Sequence, residues 1–252
     1  MGDYMVYKIR LRAREKQAEC GAIIFLSFFI LFLTMLCLNL LPLVYLSLKS
    51  FLGENPIADA VASVFLLGLL IMIYSALSMG TDRFMLKRSQ NIIAGAGDIF
   101  YYFNLKKLFS LCCFNFLLGL KKLFILLFLS VPAVICAFVF YTLSDNGFSA
   151  AVCIIFAAFT VIFIAAELIA YVHISDTFFM TRYMFIKGEY FDFKHLFAVS
   201  QQEMVPHIKR LRHLRISFTG WFVLSILIFP LPYVWGYYRQ SKACLAQEIM
   251  KS

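Results

Sequence analysis

The sequence predicts an all-α fold: a polytopic membrane helix bundle with four full spans, an interfacial helix and a C-terminal helix pair broken by proline. Three observations carry this. The 252-residue chain is 62% hydrophobic with a mean hydropathy of +0.84. Charged residues make up only 15% of it, where soluble domains hold about 25% charged and about 45–50% apolar residues. Apolar runs of about 20 residues, the length a helix needs to cross a bilayer, recur along it. A water-soluble core cannot hide that much apolar surface, so lipid is the expected solvent for much of the chain, read as a single membrane domain over 1–252.

The opening segment, 1–20, places Lys8, Arg10, Arg12, Arg14 and Lys16 ahead of the first apolar run. Lys8, Arg12 and Lys16 share one helical face, which predicts a basic cytoplasmic helix at the membrane surface. The run 22–48 exceeds the apolar region of a secretory signal and is expected to be a retained first span. A turn with Gly53 and Asn55-Pro56 follows, then a second span over 57–79. Residues 80–107 are polar and basic. The apolar stretch 108–120 is too short to cross, and with lysine pairs at both ends it is expected as an interfacial helix. Lys121 and Lys122 then precede a third span over 123–143, with Pro132 near its middle. Ser144-Asp145-Asn146-Gly147 is a turn, and 148–172 is the fourth span. Residues 173–215 are expected in the cytoplasm: an extension of that span, a break at Lys187-Gly188, an amphipathic helix from Phe191 to Met204, and a basic run before Ile216.

Charge bias sets the orientation. The N-terminal segment and the loops 80–122 and 173–215 hold nineteen Lys and Arg residues, and the two opposite loops hold one, Lys49. The N-terminus is therefore expected in the cytoplasm of a multi-pass cell-membrane protein. Residues 216–250 are expected as helix, break, helix, because Pro230 and Pro232 each remove a backbone donor. That hairpin returns Arg239 and Lys242 to the cytoplasmic side.

Several blocks occur in an order that resembles a bacterial membrane family, domain of unknown function 975. The segment from Ser217, Phe218, Gly220 and Trp221 to Pro232 and Tyr233 is similar to its closing pattern, L-S-F-x-G-W-x-x-L-S-I-L followed by P-Y. Arg12-Ala13-Arg14 is similar to its opening R-A-R, the stretch from Met79 to Phe84 to its L-G-x-x-R-F, and Leu196 to Met204 to its A-L-K-x-S-x-x-L-M. In this chain Phe-Pro-Leu-Pro stands where that family has a glycine-rich turn. The resemblance implies a multi-span membrane protein and no particular activity.

Few residues carry chemistry. Glu167 is an acid well inside an apolar run, a functional candidate by default, and its structural alternatives are a protonated carboxyl, a bond to Tyr171 or an ion pair with Arg182. His173 and Asp176 lie three apart on one helix, but a metal site needs three or four ligands. Asp82 and Arg83 form either a helix-end ion pair or a substrate contact. Lys121, Lys122, Lys209, Arg210, Arg212 and Arg215 are expected to meet anionic headgroups at the cytoplasmic face, each contributing about 1 kcal/mol. Membrane lipids are the expected partner and nucleic acid is not. The seven cysteines contain no C-x-x-C, and no cofactor motif is present. The chain thus reads as a non-enzymatic scaffold, partner or envelope-homeostasis component. A transporter or channel subunit with a polar cavity near Glu167 is the alternative, and a lipid-active enzyme using His173 and Asp176 a third reading.

Overall fold

The computed structural model describes residues 2–52, 56–146, 150–188, 192–225 and 231–251. Those residues are helical throughout apart from turns and short loops, and contain no strand. The helices are α1 (Gly2–Ala18), α2 (Gly21–Leu52), α3 (Pro56–Ser89), α4 (Leu105–Asp145), α5 (Ala150–Thr177), α6 (Phe179–Lys187), α7 (Phe193–Met204), α8 (Ile208–Leu224) and α9 (Leu231–Ile249). Short 3-10 turns occupy Ala96–Asp98, Tyr101–Phe103 and Val205–His207. Gly53 and Asn55, placed by the sequence in the first turn, lie outside the described residues, as do Gly147 and Pro230.

Helix ends follow local chemistry. Proline opens α3, where its missing donor costs nothing. At the other end of α3, Asn91 takes a left-handed conformation (φ 60°). Its N–H donates to the Arg88 carbonyl and that of Ile92 to the Lys87 carbonyl, which closes the helix as a Schellman motif. Gly188 (φ 75°) stops α6 at the expected break. Asp192 caps α7 by accepting from the Lys194 N–H at 3.0 Å.

Contacts group the chain into two compact units: Met1–Cys112 with Met180–Ser252, and Cys113–Phe179. In the first, α9 packs against α1, α2, α3 and α8. The stripe Val6, Ile9, Ala13 and Gln17 of α1 is buried, at the spacing that gives a helix one inward face. The N-terminal segment is thus a packed helix of this core, with Lys8 on its outer face. The residues of α6 belong to the same core: Met180, Thr181, Tyr183 and Met184 are buried. That corrects the expectation of a solvated extension after the fourth span, since the run from Phe178 to Ile186 is too apolar to stay in water.

The second unit contains most of α4 and α5. No break separates the expected interfacial helix 108–120 from the expected span 123–143, since α4 runs unbroken through Lys121 and Lys122. Lysine is a good helix former, and Gly119 just before the pair stays within α4 without leaving helical geometry. The side chains of both lysines are half-buried, and the Lys121 ammonium lies 5.0 Å from the centre of the Phe178 ring.

Three helical stretches are long and apolar enough to cross a membrane: Val61–Ser89, Leu105–Asp145 and Ile154–Lys187. A fourth arises if the bent pair Tyr4–Ala18 and Gly21–Cys37, which meet at 91°, is one broken span. Their outward faces are large apolar side chains, such as Phe65, Phe128, Phe138 and Ile169.

Candidate functional site

The polar centre of the first unit is built on one turn of α3. Ser78 and Asp82 are four residues apart and so lie on the same helix face, and Asp82 is only 3% exposed. One carboxylate oxygen pairs with the Arg182 guanidinium of α6, and the other lies 3.1 Å from Arg239 Nη2 of α9. Ser78 Oγ accepts from both arginines, at 2.7 Å from Arg182 and 2.8 Å from Arg239, and the Ser78 carbonyl accepts from Arg239 at 3.3 Å. Three helices are thereby tied to one carboxylate.

The supporting contacts explain why these residues meet. Gly236 of α9 faces Ile24 of α2 so closely that a Cβ would lie 2.3 Å from the isoleucine side chain. Gln240 donates to the Met85 carbonyl of α3 at 3.2 Å, and Gln17 of α1 donates to the Tyr233 carbonyl at 3.0 Å. Thr181 donates to Ser200 of α7 at 2.6 Å, both fully buried. The Tyr237 hydroxyl donates to the Arg10 carbonyl. From the family-like block, Phe218 is buried against Tyr237 and Tyr238 with ring centres at 4.8 and 5.2 Å. Ser217 turns back to the Leu214 carbonyl, and Pro232 is half-buried in the first turn of α9. Gly220, Trp221 and Tyr233 face outward.

Beside this network is a cavity of about 480 Å³. Its polar wall is Ser78, Arg182, Arg239 and Lys242, and its apolar wall is Phe28, Leu31, Phe32 and Met35 of α2. Trp235 sits between the two, edge-on to Phe28 with centres 5.3 Å apart and 4.7 Å beneath the Arg239 guanidinium. Lys242 lies on the same face of α9, one turn beyond Tyr238, with its ammonium 4.6 Å from that ring's centre. Burial pushes the Lys242 ammonium down to about 8, and neighbouring Arg239 adds to the effect while Asp82 opposes it. Burial lowers Arg239 as well, with Asp82 pulling the other way.

Arg83, adjacent to Asp82 in sequence, serves a different cluster. It reaches Asp98 at 3.5 Å and lies over the Tyr101 ring at 3.5 Å, while Lys87 binds Asp98 at 2.6 Å and Lys107 covers the same ring at 3.4 Å. Burial pushes the Asp98 carboxyl up, but hydrogen bonds from Lys87 and the Gly95 N–H and the charge of Lys87 together hold it below the ordinary value. The pair Asp82–Arg83 expected from the sequence is therefore two ion-pair systems, because adjacent helix residues point 100° apart.

The remaining candidates lie on α5 in the second unit. Glu167 is half-buried, and within its unit no hydrogen bond or ion pair reaches it among the described residues. Its expected partner Arg182 is held by Asp82 instead. His173 is exposed and Asp176 is buried, and among the described residues no third metal-ligating side chain joins them. On α8, Lys209 and Arg215 are exposed and Arg210 and Arg212 half-buried, while Ile208, Leu211 and Leu214 anchor the opposite face.

No family profile, curated protein or solved structure matches the chain. The chemistry of the site rests on its own geometry. Two arginines take both oxygens of one carboxylate, and Lys242 lines the same cavity without an acid of its own among the described residues, an arrangement suited to holding an anion. Sequence reasoning identified Asp82 and Arg182 but missed Ser78, Trp235, Arg239 and Lys242. A signal was present: Trp235, Arg239 and Lys242 recur at helical spacing, and the small apolar run Ala243-Cys244-Leu245-Ala246 that follows marks a helix packed on several sides.

Proposed function

We propose that the chain is a non-enzymatic integral membrane protein that works by holding lipid or protein partners, with its N-terminus in the cytoplasm of a cell membrane. The observation that carries the membrane reading is the length and outward apolarity of α3, α4 and α5. Support for a holding role comes from the Asp82 network, whose carboxylate is fully engaged by two arginines and so is poorly placed to act as a general base. Affiliation with domain of unknown function 975 belongs to the same proposal, resting on the order and resemblance of the sequence blocks. Alkaline carbonate extraction tests the reading. The protein is expected to stay in the membrane pellet, and release into the supernatant would overturn it.

A further inference from the structure

We propose that the cavity between α2, α3, α6, α8 and α9 is a binding site for an anionic phospholipid, its phosphate against Arg182, Arg239 and Lys242 and its acyl chain along α2.

Charge is the first argument. Asp82 Oδ1 and Oδ2 are occupied by Arg239 and Arg182 respectively. Lys242 has the Tyr238 ring as its neighbour and no carboxylate within ion-pair distance among the described residues. Lys242 is half-buried, charge drawn away from water without a counter-charge is costly, and a bound phosphate supplies that counter-charge. Arg239 provides the second, independent observation. It is 8% exposed and lines the cavity, and its Nη1 has no hydrogen-bond acceptor among the described residues. An arginine with one nitrogen on a carboxylate and another unfilled is suited to a phosphate oxygen.

Shape selects a lipid over a free anion. Phe28, Leu31, Phe32 and Met35 fall at the spacing of one helix face and form a continuous apolar wall. A cavity of about 480 Å³ falls within the range of drug-sized ligand pockets, roughly 300–1,000 Å³, larger than a phosphate group requires. Phe32 is half exposed, so this wall opens outward along α2, on the side where an acyl chain enters from the bilayer. An inorganic anion leaves the apolar wall unused.

This inference rests on the membrane reading, and carbonate extraction tests that reading separately. A chain that stays in the pellet but binds no lipid would sink only the present proposal. Trp235 supplies the readout. In purified full-length protein carrying Trp221→Phe, Trp235 is the sole tryptophan, and its emission is followed while short-chain phosphatidic acid is added in detergent. A saturable shift is expected. Lys242→Met, which keeps the stem and removes the charge, is expected to weaken binding roughly tenfold, the effect of one charged hydrogen bond. Phe32→Glu is expected to weaken it as well, by placing an acid on the chain-binding wall, and Lys8→Met on the outer face of α1 leaves it unchanged. Phosphatidylcholine and inorganic phosphate are expected to give no shift at the same concentrations. The proposal is overturned if Lys242→Met binds as tightly as the parent, if Lys8→Met loses as much, or if inorganic phosphate produces the same shift.

Discussion

Asp82 is the residue on which the first unit depends most. Replacing it with Asn preserves shape but leaves Arg182 and Arg239 without their counter-charge, and removing one member of a buried charge cluster costs about 3–5 kcal/mol. Asp82→Asn is therefore expected to lower the unfolding midpoint in detergent strongly. Asp98→Asn breaks a cluster closer to solvent and is expected to cost about 1 kcal/mol or less; equal losses for the two variants would contradict this ranking. Lys242 makes a pH prediction. Below about 8 both native and unfolded chains carry its proton, and the native state bears the full cost of burying the charge. Between about 8 and the ordinary lysine value of 10.5 the unfolded chain keeps the proton while the native state releases it. Stability therefore rises with pH across that window as far as this group is concerned. Cys244, raised by burial to about 11, opposes the trend, so the informative quantity is a difference. Subtracting the stability profile of Lys242→Met from that of the parent should leave a component that climbs from pH 8 to 10, and a flat difference would count against a buried ammonium.

At the level of elements, the close approach of α3 to the loop after it sets the geometry of the first unit. A Cβ on Gly80 would fall on the Ile99 carbonyl oxygen, 1.8 Å away in backbone that no rotamer change can relieve. Gly80→Ala is expected to push out the segment holding Asp98 and Tyr101, at a cost of about 1–3 kcal/mol or more. Limited proteolysis between residues 90 and 104 should show faster cleavage than in the parent. Gly95→Ala, where a Cβ meets nothing within 4 Å, is the matched control and should cleave at the parental rate. The glycine of the L-G-x-x-R-F-like stretch thus has a packing reason, and so does its final aromatic, since Phe84 is buried at 1% exposure. The continuous α4 shows the opposite lesson. A lysine pair looks like a boundary on a hydropathy profile, yet neither that charge nor the nearby Gly119 ends the helix, since lysine is a good helix former and a single glycine costs only about 1 kcal/mol.

On the scale of the whole molecule, the long apolar helices are consistent with an integral membrane protein, and the charge bias makes an orientation prediction. A single cysteine at Asp145, the last residue of α4, in a background lacking the seven native cysteines, should react with an impermeant reagent added outside intact cells. A cysteine at Lys209 should react only after the cytoplasmic side is opened. The reverse pattern would invert the topology proposed here.

The all-helical class, the apolar helices, the stop at Gly188 and the amphipathic α7 were all readable from the chain. Each depends on local properties: hydropathy over about 20 residues, a backbone conformation that favours glycine, and a 3.6-residue period. The site was only partly readable. Asp82 and Arg182 stand out because charge is scarce here, but their pairing joins residues a hundred positions apart. Arg239 and Lys242 looked like a solvated cytoplasmic tail, since a basic residue after an apolar run ordinarily marks the water side. Packing of α9 against α1, α2, α3 and α8 surrounds them instead. No local pattern encodes that outcome, because burial of a given side chain depends on which other helices cover it. The sequence by itself determined a chain of membrane-length helices, and the tertiary structure decided which of its cations became a buried cluster around one carboxylate.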